Sequence, residues 1–241
     1  MLRKIVLMLL LGCLVALPTT PTLAGPASGS NTLTARQQAI VLIGAFTAQG
    51  NIGPLRTALA EGLDAGLTVN EVKEILVQLY AYTGFPRSLN AINAFMDVLR
   101  ERRDKGITDA VGKEPSPLPA GKSSLELGTE IQTRLVGMPV KGAIFDFAPA
   151  IDTFLKAHLF GDIFGRDNLN YESREIATIA ALASMQGVDA QLRSHLKVGV
   201  RVGLSADQLK SLISVIEARV GKKDAENAAA VLGNVLESQS N

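Results

Sequence analysis

Ala48-Gln49-Gly50-Asn51-Ile52-Gly53-Pro54-Leu55-Arg56 returns 137 positions later, without a gap, as Met185-Gln186-Gly187-Val188-Asp189-Ala190-Gln191-Leu192-Arg193. The same offset pairs Leu59 with Leu196, Gly62 with Gly199, Gly66-Leu67 with Gly203-Leu204 and Lys73 with Lys210. It also pairs Gly84 with Gly221, Asn90-Ala91 with Asn227-Ala228 and Val98-Leu99 with Val235-Leu236. Glycines and core leucines coinciding at one offset point to two copies of a single structural unit.

Each copy reads as helices. Thr34 with Gln37 three residues on makes a capping box, and Ile40, Ile43 and Phe46 follow at helical spacing up to Gly50. A second helix opens at Gly53-Pro54, carries Leu55, Ala58, Leu59, Gly62 and Leu63 on one stripe, and stops at Gly66. Thr68 with Glu71 opens a third, with Val72, Ile75, Leu76 and Leu79 inward and Gly84 at its end. A fourth turns Leu89, Ile92, Phe95, Met96 and Leu99 inward. In the second copy Gly187 ends the first helix, Ser205 with Gln208 caps the third, and Gly221 stops it. Between the copies Pro115, Pro117 and Pro119 mark an extended linker. Beyond it, 125–135 and 150–160 read as helices around a turn region at 137–142. The expected organisation is an all-α chain: a signal peptide over 1–24, a first repeat over 30–108, a linker over 109–123 and a second repeat over 124–237.

The signal peptide is read from Arg3-Lys4, the apolar run Ile5 to Leu17, the break at Pro18, and Thr22-Leu23-Ala24 before Gly25. The run is too short to span a bilayer. Leu10-Leu11-Gly12-Cys13 offers a second reading, a lipoprotein cleavage box, although the apolar run continues past Cys13. Either way the chain is expected outside the cytoplasm, periplasmic or secreted. Cys13 is the only cysteine, so cleavage after Ala24 leaves no thiol for disulfides, nucleophilic catalysis or metal ligation. The formal charge of +1 becomes slightly negative without Arg3 and Lys4, which gives nucleic acid nothing to hold. With no Trp and 5% aromatic residues, stacking surfaces for sugars or bases are also disfavoured.

Gln78, then Tyr80-Ala81-Tyr82-Thr83-Gly84-Phe85-Pro86, then Asn90-Ala91, resembles the C-terminal part of the carboxymuconolactone decarboxylase family. Phe160-Gly161-Asp162-Ile163-Phe164-Gly165-Arg166, leading through Ser173-Arg174-Glu175 to Leu192-Arg193-Ser194-His195, resembles its leader and central helices. The resemblance implies an all-helical fold that assembles into rings, here a trimer as the two-repeat counterpart of six units. It also implies one of two chemistries. Alkylhydroperoxidase-like members use Cys-x-x-Cys ahead of a His, where this chain has Val188 and Gln191 before His195, so thiol peroxidase activity is disfavoured. Decarboxylase-like members use acid-base groups and no cofactor on a small carboxylated lactone. The copies diverge here. His195 and Glu175 of the second face Ala58 and Gln38 in the first, and the Tyr-x-Gly-x-Pro tail of the first becomes Arg219, Gly221 and Lys223 in the second.

His195 lies on the stripe Leu192, Leu196, Gly199, which fits either a buried satisfied histidine or an acid-base group. Since the first copy packs Ala58 in that place, the lattice does not require an imidazole. Glu175 stands near its helix start, where any carboxylate is favoured by the dipole. If the helices fold back at Gly187, their axial offset is ~6 Å at ~1.5 Å per residue, so Glu175 and His195 are able to meet or share a substrate. His158 continues the stripe Ile151, Phe154, Leu155 and raises a further reading, a metal site with His195 and Glu175. Arg166, Arg174 and Arg193 are candidates for holding a substrate carboxylate, or else solvated surface charges. Tyr80 and Tyr82 either line a pocket or pack. Two functions follow: a cofactorless lyase or isomerase acting on a small molecule, with His195 and Glu175 catalytic and Arg166, Arg174, Arg193, Tyr82 and His158 binding substrate, or a non-catalytic oligomeric scaffold.

Overall fold

Thr34, Thr68, Ser123 and Ser205 each accept from the backbone amide three residues on, and the side chain at that position reaches back to the cap. These capping boxes fix where four helices begin. The computed structural model describes residues 32–240; the expected signal peptide over 1–24 and Cys13 lie outside them. In chain order come α1 (Ala35–Gln49), α2 (Ile52–Asp64), α3 (Val69–Asp104), α4 (Ser124–Val136), α5 (Ala143–Phe147) and α6 (Pro149–Phe154). A π-helix (Leu155–Ile163), α7 (Tyr171–Ala183), α8 (Asp189–Arg201), α9 (Ala206–Arg219) and α10 (Lys222–Ser240) follow. Among the described residues there is no strand, so the fold is all-α, and no helix is long and apolar enough to cross a membrane.

The centre is the α1–α7 pair. Every residue from Ala39 to Ala48 of α1 and from Ser173 to Ala183 of α7 is buried; α1 is apolar nearly all round there, whereas α7 buries Ser173, Arg174, Glu175 and Thr178 among its alanines and isoleucines. The two come close because Gly44 has no side chain: a Cβ there would lie 2.6 Å from the Ala177 carbonyl oxygen. Around this pair pack α2, α3 and α9 on α1, and α3, α8 and α10 on α7. α2 and α8 begin and end 137 positions apart, as do the starts of α3 and α9.

Gly84 ends the helical run that opens at Val69: at φ 80°, ψ 157° it is non-helical, and α3 is two helical runs joined at this kink, the second passing through Pro86 to Asp104. At Gly221 the chain likewise breaks, between α9 and α10. The kink resets the register, so Leu89 and Met96 point to solvent, 54% and 60% exposed, and the inward stripe is Ala91, Ala94, Phe95 and Val98. That corrects the expected placement of Leu89 and Met96.

The linker is extended but not idle. Ala110 and Val111 carbonyls accept from the Val69 and Asn70 amides at 2.9 Å each, satisfying donors that the first turn of α3 leaves open. Beyond it, α4 lies on the π-helix at glycine contacts, where a Cβ on Gly161 would meet the Ser124 carbonyl oxygen at 2.2 Å. This layer builds a second small core from Ile131, Leu135, Leu159, Phe160, Ile163, Phe164 and Val198, with Tyr80 and Tyr82 packed against it. It covers the side of the bundle where α3 and α8 present their polar groups.

Candidate functional site

α3 carries Glu74, Gln78 and Tyr82 four residues apart, hence on one face, between the buried Ile75, Leu76 and Leu79. α7 answers with Arg174 and Thr178 at the same spacing and with Glu175 beside them. The two stripes zip together inside the protein. Gln78 Nε2 donates to Thr178 Oγ1 at 2.8 Å and to the Arg174 carbonyl at 3.0 Å, and Arg174 Nη1 donates to Gln78 Oε1 at 2.9 Å. Arg174 Nη2 donates to Glu74 at 2.8 Å and to the Arg166 carbonyl at 2.8 Å, and Arg166 Nε reaches Glu74 at 2.9 Å. Arg174 is therefore not a surface charge: it is 0% exposed, and its guanidinium also sits over the Phe164 ring. Burial pulls its pKa below the ordinary arginine value, with the Glu74 carboxylate opposing.

At the far end of the zipper stand Glu175, His195 and Tyr82. Glu175 is 1% exposed, and its Oε2 bonds His195 Nδ1 at 2.8 Å. A carboxylate only accepts, so Nδ1 carries the proton and Nε2 presents a lone pair. The Tyr82 ring meets the imidazole edge-on with centroids 5.4 Å apart. Its hydroxyl is buried with no hydrogen-bond partner in the protein, as is Glu175 Oε1. Burial, and then the Glu175 charge, hold the Tyr82 phenol far above its usual range, while Thr178 and Arg174 act the other way. Tyr82 is thus a protonated donor at any physiological pH. The Tyr82 hydroxyl and Glu175 Oε1 are buried polar atoms beside the imidazole without a protein hydrogen bond of normal geometry, although Thr178 lies close enough to Tyr82 to oppose its shift.

Glu175, His195 and Tyr82 are brought together; the other candidates are dispersed. Arg166 is engaged by Glu74. Arg193 is exposed on α8, and its counterpart Arg56 pairs with Glu101 at 2.6 Å, a contact Arg193 lacks because position 238 is Ser. His158 lies on the π-helix with Asp162 and Tyr80 as partners, and it joins no three-ligand cluster with His195 and Glu175 among the described residues. Glu74 and Thr178 escape sequence reasoning, although the four-residue spacing of Glu74, Gln78 and Tyr82 within an apolar helix is a signal that finds them. A cleft of about 430 Å³ opens elsewhere, between α1, α2 and α9, lined by Gln38, Glu61, Ser211 and Arg219. A second, of about 380 Å³, is lined by Arg134, Tyr171, Glu172 and Arg201. Neither cleft includes His195 or Glu175.

Residues 149–233, which contain both Glu175 and His195, match the carboxymuconolactone decarboxylase family. This segment is a member of that family. A 4-carboxymuconolactone decarboxylase from Acinetobacter baylyi is 29% identical over 90 residues, covering 36% of this chain and 66% of the relative. The family segment supplies the carboxylate and the imidazole, while Tyr82 and the Glu74–Gln78 anchor come from α3, outside the matched residues.

Proposed function

We propose that the chain carries out cofactorless acid-base chemistry, decarboxylation or isomerisation, on a small carboxylated or lactone substrate at His195. The supporting observation is the His195–Glu175 bond of 2.8 Å, in which a carboxylate 1% exposed fixes the imidazole tautomer and leaves Nε2 without a proton. In this mechanism Nε2 takes a proton from carbon next to the substrate carbonyl, Glu175 stabilises the imidazolium, and the Tyr82 O–H donates to the oxygen on which charge develops. Returning the proton at a different atom isomerises the substrate; in a decarboxylation no carbon proton is removed, the pair from the breaking bond to carbon dioxide moves onto the carbonyl oxygen, and the imidazolium, recharged from water, delivers one proton to carbon. Arg174 and Arg166 are consumed by Glu74, and Arg193, two residues before His195 on α8, lies on another face of that helix, so the Tyr82 hydroxyl is the donor nearest the imidazole. A thiol peroxidase mechanism is not proposed, because Val188 and Gln191 occupy the places where thiols would stand.

The partners are the substrate and further copies of the chain, assembled as a trimer. Phe147 is 91% exposed, and Ile144, Ile151 and Phe154 on the same α5–α6 arm are 50% or more exposed, an apolar surface that water disfavours. The two-repeat organisation accounts for the common offset of α2 with α8. Export to the periplasm or beyond is proposed from Arg3-Lys4 and the apolar run after them. A scaffold without catalysis is the second reading, favoured by the absence of His195 and Glu175 from both clefts. Incubating the purified protein with a panel of carboxylated lactones and keto acids separates the two. Turnover of one member supports the enzyme, and inertness toward all supports the scaffold.

A further inference from the structure

The π-helix holds a second set of reactive groups that the His195 site does not use. Ser124 of α4 donates to Asp162 Oδ1 at 2.5 Å, and Asp162 Oδ2 bonds His158 Nδ1 at 2.9 Å. His158 Nε2 meets the Tyr80 hydroxyl. With Nδ1–H given to the carboxylate, Nε2 is an acceptor, so the Tyr80 O–H points its proton at a base whose other nitrogen is backed by a carboxylate. Burial works to raise the Asp162 pKa, but the Ser124 and His158 hydrogen bonds outweigh it and keep the carboxylate ionised. Burial and the Asp162 charge push the Tyr80 phenol up, so it does not ionise unaided. Unlike Glu175, these groups are open to solvent: the His158 and Asp162 side chains are 48% and 43% exposed. Phe85, 61% exposed after the Gly84 kink, stacks on the Tyr80 ring at 4.4 Å and offers its outer face to another flat group. A π-helical turn is the kind of local irregularity that recurs at working sites.

A hydroxyl in reach of a base, with the base oriented by a third group, is the arrangement of an activated oxygen nucleophile. We propose that Tyr80, His158 and Asp162 form a second reactive centre, which accepts an acyl group from aryl esters whose ring lies on Phe85. Tyr80 Oη forms a bond to the ester carbonyl carbon while its proton passes to His158 Nε2. The bond from that carbon to the aryl oxygen breaks, and the departing phenolate takes the proton from His158. Water, deprotonated by the same nitrogen, then attacks the tyrosyl ester, releasing the carboxylic acid and restoring the tyrosine. Asp162 keeps Nδ1–H throughout and offsets the imidazolium charge.

The probe is p-nitrophenyl acetate on the full chain, with nitrophenol release followed by absorbance and the acetylated residue located by peptide mass. The expected result is an early acetyl adduct on Tyr80, well ahead of Tyr171, which is hydrogen-bonded to Arg134 and has no histidine beside it. His158→Gln should slow Tyr80 labelling about 100-fold, the lower range for a general base, and leave Tyr171 labelling unchanged. Tyr80→Phe should remove the fast phase of nitrophenol release. Acetyl groups confined to lysines, or Tyr80 and Tyr171 labelled at equal rates in the unsubstituted protein, overturn the proposal without recourse to any variant. Equal Tyr80 labelling with and without His158 does so as well, and reduces the cluster to a strut between α3, α4 and the π-helix.

Discussion

Replacing Glu74 by Leu should be among the most damaging single changes in this protein. Glu74 is 1% exposed and is the counter-charge for Arg174, itself 0% exposed, and for Arg166, whose side chain is 36% exposed. Deleting the carboxylate leaves one guanidinium buried and uncompensated, for which breaking a buried pair typically costs about 3–5 kcal/mol. Arg166 adds little, because it retains a path to water. For a domain of this size each kcal/mol lowers Tm by about 2–4 °C, so the expected fall is on the order of 6–20 °C. Arg174→Met should cost less, since Glu74 keeps Arg166 as a partner at the rim. The assay is thermal unfolding by circular dichroism for both single variants and for Glu74→Leu/Arg174→Met, whose coupling term isolates the pair. A Glu74→Leu protein within about 0.5 kcal/mol of the parent, the range of an ordinary surface change, would refute the account of α3 and α7 as joined by this charge.

Three further outcomes follow from other parts of the molecule. Gly128→Ala sets a Cβ 1.7 Å from the Lys156 carbonyl oxygen, so α4 and the π-helix must part; a loss of about 1–3 kcal/mol or more is expected in chemical denaturation. Asp167 is held far below its usual pKa by Lys113 and by the Ser116 amide and hydroxyl. Its contribution is present above the unfolded value of about 4 and is lost as pH falls through the depressed folded value, so amide exchange around Ser116 should quicken below about pH 4 and Asp167→Asn should show that exchange already at neutral pH. Replacing Phe147 and Phe154 by Ser should lower the mass seen by light scattering from trimer to monomer while leaving the helical signal intact.

The helices were legible because capping boxes and glycine stops are local: Thr34, Thr68 and Ser205 fix their own termini whatever lies across the core. Glu175 and His195 were also within reach, since a fold-back at Gly187 sets their axial offset by counting residues. Gly84 is a break in the sequence and in the structure, but the angle at which the chain leaves it is not written locally, so the stripe that follows does not say that Ala91 and Phe95 turn inward while Leu89 and Met96 face solvent. Arg174 was hidden for a different reason. Its partner Glu74 lies 100 positions away on another helix, and one sequence does not say which buried carboxylate meets which guanidinium. The π-helix was invisible too, since nine residues make only about two turns, too few for an apolar pattern to separate i→i+5 from i→i+4 bonding.

Two variants decide whether His195 acts on a substrate or fills the core. Ala58 and Gln38 occupy the matching places 137 positions earlier, so His195→Ala/Glu175→Gln should fold with nearly unchanged Tm, whereas His195→Ala alone leaves the Glu175 carboxylate buried without its partner and should melt earlier. Turnover of the lactone or keto acid found by the substrate panel should fall about 10²- to 10⁴-fold, the contribution of a general acid-base group. A His195→Ala/Glu175→Gln protein that turns that substrate over at the parent rate would place His195 in the core and not in the chemistry.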